Sequence, residues 1–358
     1  MNKIKLGVLM PSIHIGGGEN ATKFAIQYTN RRLYQWCIVV VTEPYVTWDY
    51  LWQYADYVPI YYEGFCYFRN EKKKMDLDTA MQILRECDGV LSWELDERRA
   101  RLFNSIPGKK INWIFRHDVN HWKQVRDEHI LLTCSESCKN DFGQIGNRKI
   151  HIIPSQVDFE HCRITIDRER MRSQWNCDKR LVVGYIGRMD QNKNIQAIAR
   201  AVANRTDMQA VCYGVKSWNT IELEKEIFSI AKGNLKWYDA VLEVGDVLNG
   251  FDVMLSPSYS EVFSLSILEA WATRTPVVCT NVGEVPALQQ KYGKLCTLIS
   301  PDAGGNEIRE AIGKALKDTE SVERAYQMVK ENYSAEIVAQ KWNEFFNNIF
   351  LSEGEYCV

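Results

Sequence analysis

Two glutamates stand eight positions apart in SEVFSLSILEAWATRTPVV (260–278): Glu261 near the start, Glu269 between Leu268 and Ala270. A bare carboxylate in an apolar helical run is costly unless hydrogen-bond donors reach it. Glu261 falls in a loop after the apolar run FDVMLSPS (251–258), and Phe263, Ser264 and Leu265 should open a helix. The first N–H groups of a helix have no partner within it and attract an anion. The two acids would then bracket a molecule with phosphate in its middle and hydroxyls at both ends, as a nucleotide sugar has. The competing placement puts Glu269 on the solvent face of the helix.

Cations stand in a second loop, GRMDQNKN (187–194), where Gly187, Arg188 and Lys193 lead into a helical pattern. Arg as a bidentate clamp and Lys as a point charge suit a diphosphate, although an ordinary solvated loop has the same composition. GGGEN (16–20), with Gly16 and Gly17, joins a strand to a helix and could let the backbone approach an anion; it is not GxGxxG, and a purely structural turn reads equally well. RHDVNH (116–121) sets His117 and His121 at i, i+4, a two-histidine metal face if helical, but it lacks the Glu of HExxH, and Asp118 serves as well as a helix cap. MDLDT (75–79) contains a D-x-D, which ahead of DTAMQILRE (78–86) reads better as a cap near Asp78 or Thr79 than as a metal site.

These clusters follow short apolar runs. LGVLMP (6–11), WCIVVVTE (36–43), GVLSW (89–93), INWIFRHD (111–118), HILLTCS (129–135) and KIHIIPS (149–155) alternate with helical patterns. Continuous β-branched runs of this kind predict strands covered on both faces and an open parallel sheet. After a charged linker (158–180) a second series begins with LVVGYIGR (181–188), MQAVCYG (208–214), NLKWYD, FDVMLSPS and TPVVCT (275–280). The chain therefore reads as α/β with two Rossmann-like, doubly wound domains, residues 1–165 and 166–333, whose ligand sites lie at the carboxyl ends of the strands. If the two domains face each other, GGGEN, RHDVNH, GRMDQNKN and the SPSYSE loop line one cleft. SAEIVAQKWNEFFNNIF (334–350) is a closing helix with an apolar stripe at Ile337, Val338, Trp342, Phe345 and Phe346 that must pack against something.

With 358 residues, 46% hydrophobic and 25% charged, the chain has the composition of a globular two-domain protein. A net charge of −2 argues against wholesale nucleic-acid coating. Eleven cysteines without a CxxC pair suit free thiols in a reducing cytoplasm, and no run approaches the roughly 20 apolar residues of a membrane span. MNKIKLGVLMPS is too short in its apolar part for a secretion signal and reads as a first strand. YYEGFCYFRNEKKK (61–74) joins aromatics to clustered cations. It reads as an ordinary solvated loop, with peripheral contact to a membrane surface or a polyanion as the alternative.

Assembled in this order, GGGE (16–19), RHD (116–118), TCSES (133–137), IIPSQVD (152–158), GRMDQNKN, CYG (212–214), the E-x7-E segment 256–278 and NVGEVPAL (281–288) resemble the GT-B retaining glycosyltransferases of family four, most densely over 181–287. The resemblance implies a GT-B fold with a central cleft, an acceptor-binding N-terminal domain, and a last helix that crosses back to it. It implies metal-independent transfer of a sugar from a nucleotide-diphosphate sugar to an acceptor hydroxyl, with no further cofactor. Arg188 and Lys193 would hold the diphosphate and neutralise the leaving group, Glu261 would contact the sugar, and Glu269 the ribose. Backbone N–H groups at Phe263, Ser264 and Leu265 would bind sugar or phosphate. His117 would stand beside the reacting sugar, and Gly16, Gly17 and Gly187 would approach the donor. Saccharide or lipid-linked saccharide leads among the acceptors, with a modified nucleic-acid base as a further option. Val262, Ser264 and Arg274 stand where the family usually has Gly. Two competing functions are an inactive nucleotide- or glycan-binding relative, and a metal hydrolase at RHDVNH.

Overall fold

The computed structural model describes residues 2–13, 16–41, 48–93, 95–115, 123–143, 148–177, 179–217 and 220–351. Residues divide into two compact units, Met1–Ser155 with Ala335–Val358, and Gln156–Ser334. The first division falls ahead of the boundary expected at 165/166. Its reason is local: Val157 N donates to Tyr333 O at 2.9 Å, and Val157 bridges Ser334, so the segment after Ser155 is stitched to the end of the second unit.

The first unit is built on nine strands: β1 (Ile4–Met10), β2 (Tyr34–Val40), β3 (Ile60–Tyr62), β4 (Phe65–Phe68), β5 (Glu71–Lys74), β6 (Gly89–Trp93), β7 (Lys109–Ile114), β8 (Ile130–Thr133) and β9 (Ile150–Ile152). Their order is β5-β4-β3-β2-β1-β6-β7-β8-β9. Parallel pairing runs from β3 to β9, with Leu6 opposite both Trp36 and Gly89. β6 is buried at all five residues and β1 along its last five, as continuous apolar runs require when helices cover both faces.

The expected loop at 61–74 is instead two successive hairpins, β3–β4 and β4–β5, antiparallel throughout. Each turns on two residues of positive φ, Glu63 (43°) with Gly64 (80°) and Arg69 (47°) with Asn70 (64°). Such pairs match the twist of the flanking strands. Tyr67 is buried, while Glu71 to Lys74 form an exposed edge with Lys72 Nζ 4.0 Å above the Phe65 ring. Lysines on an edge strand discourage pairing with another chain.

The helix Ala335–Phe350 belongs to this first unit and packs against the helix Gly17–Tyr28. Trp342 is fully buried 4.9 Å from Trp113, and Phe346 meets Tyr34 and Trp36 at 5.6 and 5.4 Å. Asn343 accepts from Asn30 N, and Asn347 from the Tyr34 hydroxyl. The apolar stripe thus has its partner.

The second unit carries β10 (Leu181–Ile186), β11 (Met208–Tyr213), β12 (Leu235–Tyr238), β13 (Val253–Ser256), β14 (Val277–Thr280) and β15 (Thr297–Ile299), all parallel, in the order β12-β11-β10-β13-β14-β15. Strand order reverses between β10 and β13, and in such sheets ligands bind beyond the carboxyl ends at that reversal. Part of the expected linker is a helix, Arg168–Gln174, capped by Asp167; Arg168 and Arg172 both clamp Asp252, which also accepts from Val182 N at the start of β10.

Candidate active site

Two loops leave the sheet at the reversal, one after β10 and one after β13. The β10 loop is held from below. Gly187 N donates to Tyr213 O at 2.9 Å, and the buried Tyr185 hydroxyl donates to Arg188 O at 2.9 Å. A Cβ on Gly214 would lie 1.8 Å from Gly187 O, so only glycine lets the loop after β11 run this close. Asp190 accepts from Lys193 N at 3.2 Å and caps the short turn Gln191–Lys193. Asn194 follows in the left-handed region (φ 50°), which Asn tolerates better than most residues. Its side-chain amide donates to Pro257 O and Pro301 O, tying the loop to those after β13 and β15.

The β13 loop is laced to the same frame. Tyr259 N donates to Asn192 O at 2.8 Å, the Asn192 amide donates to Ser260 O at 2.8 Å, and the Thr280 hydroxyl donates to Ser258 O at 2.6 Å. At its tip the carboxylate of Glu261 accepts from Ser258 Oγ at 2.7 Å and from Lys193 Nζ at 2.6 Å. Both side chains of this ion pair are mostly buried, 18% and 16% exposed. Arg188 is half exposed, with Asp190 3.4 Å from its guanidinium. Fixed positive charge and a held carboxylate therefore stand together where the strand order reverses.

The helix after this loop is Leu265–Ala272, with Ser264 as its N-cap. Ser264 makes no side-chain cap; its hydroxyl turns to Ser266 at 3.2 Å, which leaves the first-turn N–H groups to a ligand or solvent. Phe263 packs edge-on against Tyr333 at 5.3 Å. Neither Val262 nor Ser264 has positive φ, so replacing the glycines of the resembled family strains no backbone there; Arg274 does, at 56°. Glu269 lies in the second turn and is buried, 8% exposed, which overturns the solvent-face alternative. Burial pushes its pKa up to about 7. His161 Nε2 stands 3.8 Å from its Oε1.

Gly16 caps the helix Gly17–Tyr28 of the first unit, and a Cβ on Gly18 would meet the Trp93 indole at 2.9 Å, so part of this glycine turn serves packing. Glu19 is buried and accepts from Ser12 Oγ. His117, with the rest of RHDVNH, lies outside the described residues. In MDLDT the cap is Asp76, which accepts from Thr79 N at 2.7 Å, rather than Asp78 or Thr79, because the helix starts at Leu77. Sequence inspection passed over Asp190, Asn194, Ser258 and His161. An Asp three residues before Lys193 and a Ser three residues before Glu261 were the visible cues for the first and third; Asn194 and His161 act through long-range contacts. Among the described residues no helix is long and apolar enough to cross a membrane.

Two doubly wound units, the second with cations and acids at its strand-order reversal, have a GT-B type of architecture. Comparisons agree with that class. Residues 180–318 match the family model described as glycosyl transferases group 1. TuaC of Bacillus subtilis, named as a teichuronic acid biosynthesis glycosyltransferase, is 26% identical over 221 residues, 60% of this chain and 54% of that one. The D-inositol 3-phosphate glycosyltransferase of Corynebacterium jeikeium is 28% identical over 185 residues, 47% and 44% of the two chains. The chain thus spans about half the length of these curated relatives. Among solved structures, HepE of Anabaena in complex with UDP-glucose superimposes with a TM-score of 0.78 at 17% identity, covering 96% of this chain and 100% of that one. A glycosyltransferase from Rickettsia africae gives 0.76 at 14%, covering 98% and 100%. The fold is that of these glycosyltransferases.

Proposed function

We propose that the chain is a retaining glycosyltransferase that moves a sugar from a nucleotide-diphosphate sugar to an acceptor hydroxyl without a divalent metal. The observation that carries this is the Lys193–Glu261 contact, set beside Arg188 at the reversal of the second sheet. Arg188 and Lys193 offset the charge that gathers on a departing diphosphate, and a dry, preformed site makes such fixed charge effective. Glu261 holds Lys193 and accepts from sugar hydroxyls; the free N–H groups at the start of Leu265–Ala272 take phosphate or sugar oxygen. Glu269, buried without a hydrogen-bond donor among the described residues, takes the ribose hydroxyls. His117, Gly16 and Gly17 are assigned to the reacting sugar and the donor on the resemblance alone. The bound UDP-glucose of HepE, the teichuronic acid name of TuaC and the capsular polysaccharide name of CapM from Staphylococcus aureus favour a uridine nucleotide donor and a saccharide or lipid-linked saccharide acceptor.

A thermal-shift panel of nucleotide sugars tests the donor, since a ligand that binds only the folded state raises the melting point. The hit should then be hydrolysed slowly, or transferred to a saccharide, equally well in EDTA, with the anomeric configuration of the product retained by proton NMR. Loss of turnover in EDTA overturns metal independence. Binding without any turnover favours the inactive-relative alternative, and no binding by any nucleotide sugar sinks the assignment.

A further inference from the structure

We propose that His161 is a positioning residue for Glu269, holding that carboxylate charged and directed toward a ribose diol; the proposal rests on the ribose-gripping role given to Glu269 above. The imidazole stands between two acids, Nε2 3.8 Å from Glu269 Oε1 and Nδ1 3.8 Å from Glu243 Oε2. Its side chain is 23% exposed, that of Glu269 11% and that of Glu243 70%, so the outer acid is wet and the inner one is not. Among the described residues no hydrogen-bond donor reaches the Glu269 carboxylate, and His161 stops just beyond bonding distance. When protonated, an imidazole at that range favours the ionised acid without occupying the lone pairs a ligand hydroxyl would use.

The backbone keeps the ring in place. Cys162 N donates to Asp158 O at 3.2 Å, and Asp158 Oδ1 accepts from Glu160 N at 2.9 Å. A Cβ on Gly245 would lie 2.4 Å from Cys162 O and 2.2 Å from Arg163 O, so the turn carrying His161 lies flush on the helix Gly245–Gly250. Asp246 of that helix accepts from Thr165 N and Ile166 N at 2.5 and 2.7 Å. Four titratable groups share the neighbourhood: Asp158, Glu243, Glu269, and the thiol of Cys162, whose pKa is raised by burial and then by those three acids. Two of these carboxylates flank the imidazole, one at each ring nitrogen and each 3.8 Å away, so a proton on the ring sits between Glu243 and Glu269.

The test compares wild type with His161→Gln and His161→Lys, checking first that melting curves remain cooperative. Carbon-13 NMR of labelled glutamate, assigned with Glu269→Gln, follows the Glu269 midpoint in ligand-free protein. It should rise by about one pH unit or more in His161→Gln and return toward the wild-type value in His161→Lys. Calorimetry with uridine diphosphate should show affinity about tenfold weaker in His161→Gln at pH 7, recovering as pH rises and Glu269 ionises. Inorganic pyrophosphate, which has no ribose, should bind wild type and variant alike. An unmoved Glu269 midpoint, or equal losses for uridine diphosphate and pyrophosphate, overturns the proposal. If wild type fails to bind uridine diphosphate, the donor assignment falls, and the NMR comparison alone decides the role of His161.

Discussion

Lys193 Nζ lies 2.6 Å from Glu261 Oε1, joining the loop after β10 to the loop after β13 where the strand order reverses. Neither residue is near the other in sequence, and each is fixed by its own cap or hydroxyl: Asp190 holds the Lys193 backbone, Ser258 the Glu261 side chain. A site prepared in this way has its charges in place before any ligand arrives. Preorganised charge is worth most in catalysis because nothing must reorient as the transition state forms. Lys193→Ala should therefore lower kcat/KM by a factor of about 100 or more, and Glu261→Gln should lower it while leaving the fold intact. Removing either partner takes this ion pair from a mostly buried charge, so the double variant should lose less than the product of the two single losses. Steady-state kinetics of the three variants measure this; independent, multiplicative losses would contradict the coupling.

Glu269 makes stability depend on pH in a defined direction. Its pKa is raised from an ordinary 4.5 to about 7 by burial. Folding therefore favours the protonated acid: its full contribution is present below 4.5 and is lost as pH rises through about 7. Above 7 the protein carries a buried carboxylate costing about 3 kcal/mol relative to the neutral form. Glu269→Gln, always neutral, should melt at a higher temperature than wild type at pH 8, and the gap should shrink to near zero by pH 4.5 to 5. Thermal denaturation at several pH values gives both curves; a gap that widens on acidification would show that the acid is stabilised as the anion instead.

Much of this site could be read from the chain because its parts are local. Strands such as WCIVVV and FDVMLS are continuous apolar runs, and the order of β10, β13 and β14 places Arg188, Lys193 and Glu261 at strand ends before any contact is known. Glu269 was legible from its apolar neighbours, since on a helix opened near Leu265 it shares a face with Leu265, four residues before, and Ala272, three residues after. Two hairpins at 60–74 were not legible, because Glu63–Gly64 and Arg69–Asn70 are turns only when the flanking Tyr67 finds a buried place beside β3. Asn194 and His161 were missed for a related reason. Their partners, Pro257 and Pro301 in one case and Glu243 and Glu269 in the other, lie far along the chain and meet only once the sheet has formed.

Gly283 offers a way to move Glu261 without touching its chemistry. It has φ 66°, and a Cβ there would sit 2.6 Å from Glu261 O and 3.0 Å from Val262 O. Those atoms are backbone and cannot turn aside as a flexible side chain would. Gly283→Ala should thus displace the β13 loop, lengthen the Lys193–Glu261 contact, and cut transfer by about tenfold or more, since misplacement by roughly 1 Å is enough for a 100-fold loss in tightly arranged sites. The unfolding free energy should fall by about 1–2 kcal/mol from the left-handed backbone alone. Activity and denaturation together check it: full transfer with unchanged stability would mean that the loop has room to spare.

Arg274 tests whether a non-glycine residue can be kept in the left-handed region by its side chain. It ends the turn before β14 at φ 56°, where a Cβ costs about 1–2 kcal/mol. Its guanidinium pairs with Glu323, Nε to Oε2 at 2.7 Å and Nη2 to Oε1 at 3.3 Å, and lies 3.4 Å above the Tyr326 ring on the helix Thr319–Asn332. Both partners of the ion pair are about half exposed, so the pair itself adds little, and stacking on the aromatic face carries more of the compensation. Glycine at this position removes the backbone cost and the contacts together, whereas alanine removes only the contacts. The expected order of stability is wild type close to Arg274→Gly, with Arg274→Ala lowest, separated from glycine by about 1 kcal/mol or more. Urea denaturation of the three proteins at one pH measures the order directly. Alanine as stable as glycine would show that the turn relaxes out of the left-handed region once the guanidinium is gone, and that Arg274 is what holds it there.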